Sequence, residues 1–143
     1  MTRNDNPKAQ SIDLTPSLAL AAGLIYMGSA DGRFEEDEQR HVARIVPVRE
    51  VLLLAAEFVQ CTDFESYLQQ ASRILNRAQR MCLLLNAADL ALVDHKLTGE
   101  EREMLETMAK CFEISSATWQ PYLRALEAKN TISVFPDLSR VSP

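Results

Sequence analysis

An acidic turn set between two apolar helical runs occurs twice in this chain, and that repetition constrains its fold more than any other feature. The first copy is Asp31-Gly32-Arg33-Phe34-Glu35-Glu36-Asp37-Glu38, with five acids in eight positions. About 63 positions further on, Asp94-His95-Lys96-Leu97-Thr98-Gly99-Glu100-Glu101 falls under it: Asp on Asp, basic on basic, apolar on apolar and Glu on Glu. Self-similarity at a fixed spacing is the mark of a duplicated supersecondary unit, and the unit here is a helix, an acidic loop and a helix.

The apolar spacing between and around these turns is helical throughout. Thr15-Pro16 supplies a capping hydroxyl followed by Pro at the first helical position, where its missing N–H costs nothing, and Leu14, Leu18, Ala21, Ala22 and Ile25 then recur at three and four to about Ser29. A second helix begins near Glu35 or Glu36, with acids in the first turn that suit the helix dipole, and turns Val42, Ile45 and Val46 inward. Pro47 breaks or kinks it, because Pro lacks the donor for the next bond and disfavours helix at the residue before it. Val48 to about Val59 reads as a third helix, with Val51, Leu52, Ala55, Phe58 and Val59 inside. Thr62-Asp63-Phe64-Glu65 fits a capping box opening a fourth, striped by Phe64, Tyr67, Leu68, Ala71, Ile74 and Leu75. Beyond Asn76 a fifth carries Met81, Leu84, Leu85, Ala88 and Leu92. Leu83, Leu90 and Cys82 lie off that stripe, and a helix apolar nearly all round is a central one. Thr98 to Glu101 is again a capping box, before Leu105, Met108, Ala109 and Phe112. Ser115 or Ser116 starts the last helix, with Pro121 in about its first turn and Trp119, Tyr122, Leu123 and Leu126 on its stripe.

These segments predict an all-α fold: one compact bundle of about six to seven helices, a single domain over 1–143 with an internal duplication, a polar segment at 1–13 and an extended tail at 131–143. Nearly half of the 143 residues are apolar, enough for one core. The net charge of −5 excludes the clustered Lys and Arg of a nucleic-acid module; Arg73, Arg77 and Arg80 read as a solvated face. Cys61, Cys82 and Cys111 are an odd, unclustered set and read as reduced, buried, cytoplasmic residues. The start lacks the apolar core and cleavage site of a secretion signal. The longest uncharged run, Leu14 to Ala30, is shorter than the roughly 20 residues that cross a bilayer.

The acids carry what chemistry there is. A carboxylate at one helix end and another a turn into the next helix can converge across a tight turn, and Ca²⁺ or Mg²⁺ takes several such oxygens, so these ions fit better than Zn²⁺. Against that stands a structural account. Glu101 is the reach-back residue of a capping box, Glu36 and Asp37 answer the helix dipole, and Asp31 can bond within its own turn. Neither turn has the alternating acids and closing Glu of an EF-hand. Asp89 lies among leucines and alanines, where a carboxylate needs a partner in an Arg, a Tyr or a loop amide. His41, three residues beyond Glu38, is placed to join a transition-metal site but reads more simply as a solvated helix residue, as does His95. Paired acids on wet turns are the only general acid and base on offer, so the chain reads as a non-enzyme.

The apolar helix that runs into Ala30-Asp31-Gly32-Arg33-Phe34 with Glu38 after it, echoed by Leu90-Ala91-Leu92-Val93-Asp94-His95-Lys96-Leu97 with Glu101 after it, resembles the TerB-like tellurite-resistance family from about Leu18 to Phe112. The resemblance implies a bundle of duplicated helical units with an acidic surface suggested to bind a metal ion. It also implies a place in stress response and in membrane-associated assemblies, and supplies no catalytic activity. Carried over, the family's acidic positions fall on Asp31, Glu38, Asp94 and Glu101. His95 stands where the family often has Gly, and Thr98-Gly99 lacks the acids of Glu35-Glu36, so the second copy is the more divergent. The expected function is a cytoplasmic interaction module with a protein partner, without a membrane span but compatible with peripheral membrane association. A metal-dependent hydrolase using the same carboxylates, and a partner-binding bundle without any ion, are the competing readings.

Overall fold

The computed structural model describes residues 12–93 and 96–139. These residues form seven long helices: α1 (Pro16–Gly28), α2 (Glu36–Ile45), α3 (Arg49–Cys61), α4 (Phe64–Ile74), α5 (Arg77–Ala91), α6 (Gly99–Cys111) and α7 (Ser116–Asn130). A 3₁₀ turn at Ile132–Val134 and a four-residue helix, α8 (Pro136–Ser139), follow. No strand occurs among the described residues, and the all-α expectation stands.

Most of the long helices start where a side chain can satisfy their orphan N–H groups, α3 after Val48 being the exception. Thr15, Asn76, Thr98 and Ser115 all accept from a backbone N–H one turn ahead. The fourth start differs from expectation. Asp63, not Thr62, is the cap, accepting from Ser66 N–H at 2.7 Å, because α3 runs on to Cys61 and leaves Thr62 as its C-terminal cap. At Pro47 the chain breaks: α2 ends at Ile45 and α3 starts at Arg49. Pro121 lies further in than expected, as the sixth residue of α7, where its ring forgoes one helical hydrogen bond.

The core is organised on α1. Leu18, Ala19, Ala21, Ala22, Gly23, Leu24, Tyr26, Met27 and Gly28 are all buried, so this helix is enclosed rather than striped, with α3 and α5 as its main neighbours. Small residues permit the approach. A Cβ on Gly23 would stand 2.4 Å from Tyr67 Oη and 2.8 Å from Leu83 Cδ1. Tyr67, wholly buried, donates to Ala19 O at 2.5 Å, stacks with Phe64 and packs at a tilt against Tyr26. Helix α5 turns Leu83, Leu84, Ala87, Ala88, Leu90 and Ala91 inward, a face rotated from the expected one, and Met81 and Leu85 are only half-buried. That rotation puts Cys82 outside. Cys82 and Cys61 are exposed free thiols and Cys111 is half-buried, which corrects the expectation of buried cysteines; Cys61 is outside because it ends α3.

Arg80 ties the far side together. Its guanidinium donates to Leu75 O and Ser72 O near the end of α4 and to Phe112 O just past α6, so one planar cation serves the orphan carbonyls of two helix ends. Over its described residues, 131–139, the tail is not extended. Pro136 stands first in α8, and Ile132, Val134, Phe135 and Leu138 project into solvent instead of lying on the helices.

Candidate functional site

The two acidic turns leave the bundle at the same end. Gly23 of α1 faces Leu83 of α5, and a Cβ on Gly28 would lie 3.6 Å from Leu90 Cδ2, so α1 and α5 run side by side in the same direction. The turn after each helix therefore begins beside the other.

In the first turn Gly32 takes φ +86°, a left-handed conformation that glycine adopts without a steric penalty. Asp31 is exposed and accepts Arg33 N–H at 3.0 Å, closing an Asx turn. Phe34 then folds back onto the end of α1, so close that a Cβ on Gly28 would meet its ring at 2.5 Å. Glu35 caps α2, and Glu38 reaches back to accept Glu35 N–H at 2.9 Å. Glu35 and Glu38 thus form a capping box, and in the second turn the same exchange recurs: Glu101 accepts Thr98 N–H at 2.9 Å and donates its own N–H to Thr98 Oγ1 at 3.1 Å. Both glutamates are enclosed, Glu38 8% and Glu101 4% exposed.

Of the four acids expected to hold a cation, the structure thus brings Glu38 and Glu101 into two buried caps and leaves Asp31 in an exposed turn. Asp94 lies outside the described residues, as does His95. Among the described residues no three His, Cys, Asp or Glu side chains group as metal ligands would. The donor chemistry still fits a hard cation. A carboxylate has two oxygens and about four lone-pair positions, so bonding one backbone N–H does not bar it from being a ligand.

Asp89 has the partner its surroundings demand. Lys129 Nζ lies 3.1 Å from both its oxygens and Asn130 Nδ2 2.8 Å from Oδ1. Partial burial opposes its ionisation. Hydrogen bonds from Asn130 and Lys129, the Lys129 charge and His41 outweigh that and hold its pKa below the usual range. Sequence reasoning missed Lys129 and Asn130, because they lie 40 and 41 residues away and no local pattern joins them. His41, half-buried on α2, is disfavoured as a cation chiefly by burial and also by Arg44 and Lys129, with Asp89 acting the other way.

An all-α bundle with two capped acidic turns at one end is the class that fold and site define. The family model described as "Tellurite resistance protein TerB" matches residues 17–122, and the chain belongs to that family. Comparisons with curated proteins and with solved structures returned no match. Among the described residues no helix is long and apolar enough to cross a membrane.

Proposed function

We propose that this TerB-family protein is a non-enzymatic, cytoplasmic interaction module of the stress-response type whose acidic end takes up a divalent cation, Ca²⁺ or Mg²⁺. The observation that carries the reading is the side-by-side course of α1 and α5, which sets both acidic turns at one end of the bundle. Asp31, Glu38, Asp94 and Glu101 are the ligands, pooled across the two turns. Charge neutralisation by the ion would draw the two turns together and change the surface that a protein partner meets.

The partner-binding role has separate support. Trp119 is buried at 1% exposure, but Tyr122 is 51% and Phe135 59% exposed, with Ile132, Val134 and Leu138 beside Phe135 in sequence. Apolar side chains grouped at a surface mark an interaction site.

Titration calorimetry with Ca²⁺, Mg²⁺, Mn²⁺ and Zn²⁺ tests the cation reading. Binding heat is expected for the parent with Ca²⁺ or Mg²⁺, weakened at least about tenfold in Asp31→Asn plus Asp94→Asn, the size expected for loss of charged ligands. No heat with any ion, together with no shift in melting temperature, removes the cation and leaves the bundle as an ion-independent interaction module.

A further inference from the structure

A cleft of about 690 Å³ opens between the second acidic turn, the first turn of α6 and the end of α7. Its lining is divided. Leu92 and Leu97 give an apolar floor that the exposed Ile132 extends at the rim, while Lys96 and Arg102 set two cations against one acid, Glu127. On a chain of net charge −5, this is a place where cations gather at an apolar surface.

Arg102 is the group with chemistry to spare. Its guanidinium stands 3.6 Å from a Glu127 oxygen, beyond the roughly 2.7–2.9 Å of a charge-assisted hydrogen bond, and its side chain makes no hydrogen bond among the described residues. Arg80 is the contrast: its guanidinium is spent on three backbone carbonyls. A guanidinium carries five N–H donors in a fixed fork that matches the edge of a carboxylate. Arg102 holds that fork at the cleft, 43% exposed, with Glu127 near enough to steady it but too far to occupy it.

We propose that the cleft binds a small amphiphilic carboxylate, its head on the Arg102 fork and its apolar chain along Leu92, Leu97 and Ile132. The volume agrees, since sites for small ligands run about 300–1,000 Å³ and join an apolar lining to a few placed polar groups. Lys96 at the rim adds to the field that draws an anion in. Glu127 sets the charge of the guest: beside a fixed carboxylate, a second negative charge on the ligand head is repelled, so one charge is favoured over two. The site stands apart from the cation reading of the acidic turns, and a chelator in the buffer separates the two.

NMR titration of the isotope-labelled full chain at pH 8 with EDTA present tests this, using octanoate, octyl phosphate, octanol and acetate as probes. Octanoate is expected to move the amide signals of Leu92, Leu97 and Ile132 with a Kd of about 1 mM or tighter. Octanol, without the charge, and acetate, without the chain, should each bind at least about tenfold more weakly. Octyl phosphate, with a second pKa of about 6 and so close to two charges, should bind at least about threefold more weakly. Arg102→Gln should weaken octanoate at least about tenfold, and a surface ion pair of this length contributes little to folding. Ile132→Asp, at the exposed rim, should weaken it as well and serves as the second variant, while Arg124→Gln, exposed on α7 outside the cleft, should bind as the parent does. The proposal is overturned if about 10 mM octanoate moves no cleft signal, if Arg102→Gln and Ile132→Asp bind octanoate as the parent does, or if octanol or octyl phosphate binds as tightly as octanoate.

Discussion

The two acidic turns reach the same end by different local means. Before Glu38, the chain spends a left-handed glycine, an Asx turn and a phenylalanine folded back on α1 to swing into α2. Before Glu101, a single threonine does the capping, and Gly99 has no neighbour that a Cβ would touch. What the turns share is the buried glutamate at the third helical position, accepting the cap residue's N–H. The glutamates are thus explained by helix geometry alone. The aspartates that open the turns are therefore where a substitution tests an ion without removing a cap.

Substitutions can break this comparison in order of size. Gly28→Leu should cost the most, about 1–3 kcal/mol or more for an overpacked contact, since its Cβ would meet the Phe34 ring at 2.5 Å. Chemical denaturation measures it, and a wild-type midpoint would show that Phe34 is free to move off α1. Next, Glu38→Ala and Glu101→Ala should each lose about 1–2 kcal/mol, because a cap bond goes and a backbone N–H is orphaned. In the second turn Thr98→Ala plus Glu101→Ala should cost less than the sum of the two, as members of one reciprocal box; strict additivity would deny the box. The glycines of the two turns separate by sign. Gly32→Ala should lose about 1–2 kcal/mol for a left-handed alanine, whereas Gly99→Ala, at the first turn of α6, should gain up to about 0.5–1 kcal/mol in thermal or denaturant melts. Equal effects at the two positions would mean that the turns share a backbone conformation after all.

Most of the helices could be read from local chemistry. Thr15-Pro16, the break at Pro47 and the Thr98 box each follow from one or two residues and their immediate neighbours. The phase of α5 could not be. Where nearly every position is apolar, periodicity does not choose a face; the choice fell to Ala87, Ala88 and Ala91 because small side chains let another helix approach. The cap at Asp63 was likewise decided from outside, by how far α3 runs. For the site, the acidic pattern was visible in the chain, but its placement depends on α1 and α5 lying side by side, a tertiary fact with no local signature. The bonds of Asp89 to Lys129 and Asn130 belong to the same class, with partners 40 and 41 residues off.

The enclosure of α1 also bears on the order in which the chain can mature. Synthesis runs from the N-terminus, so α1 is made before the helices it packs on, and one of its two main neighbours, α5, spans Arg77–Ala91. Until those residues have been made, Leu18, Leu24 and Met27 lack part of their seat and stay open to other contacts. A nascent chain halted before Ala91 would therefore be sticky and prone to capture by chaperones, while one a few turns longer could close on itself.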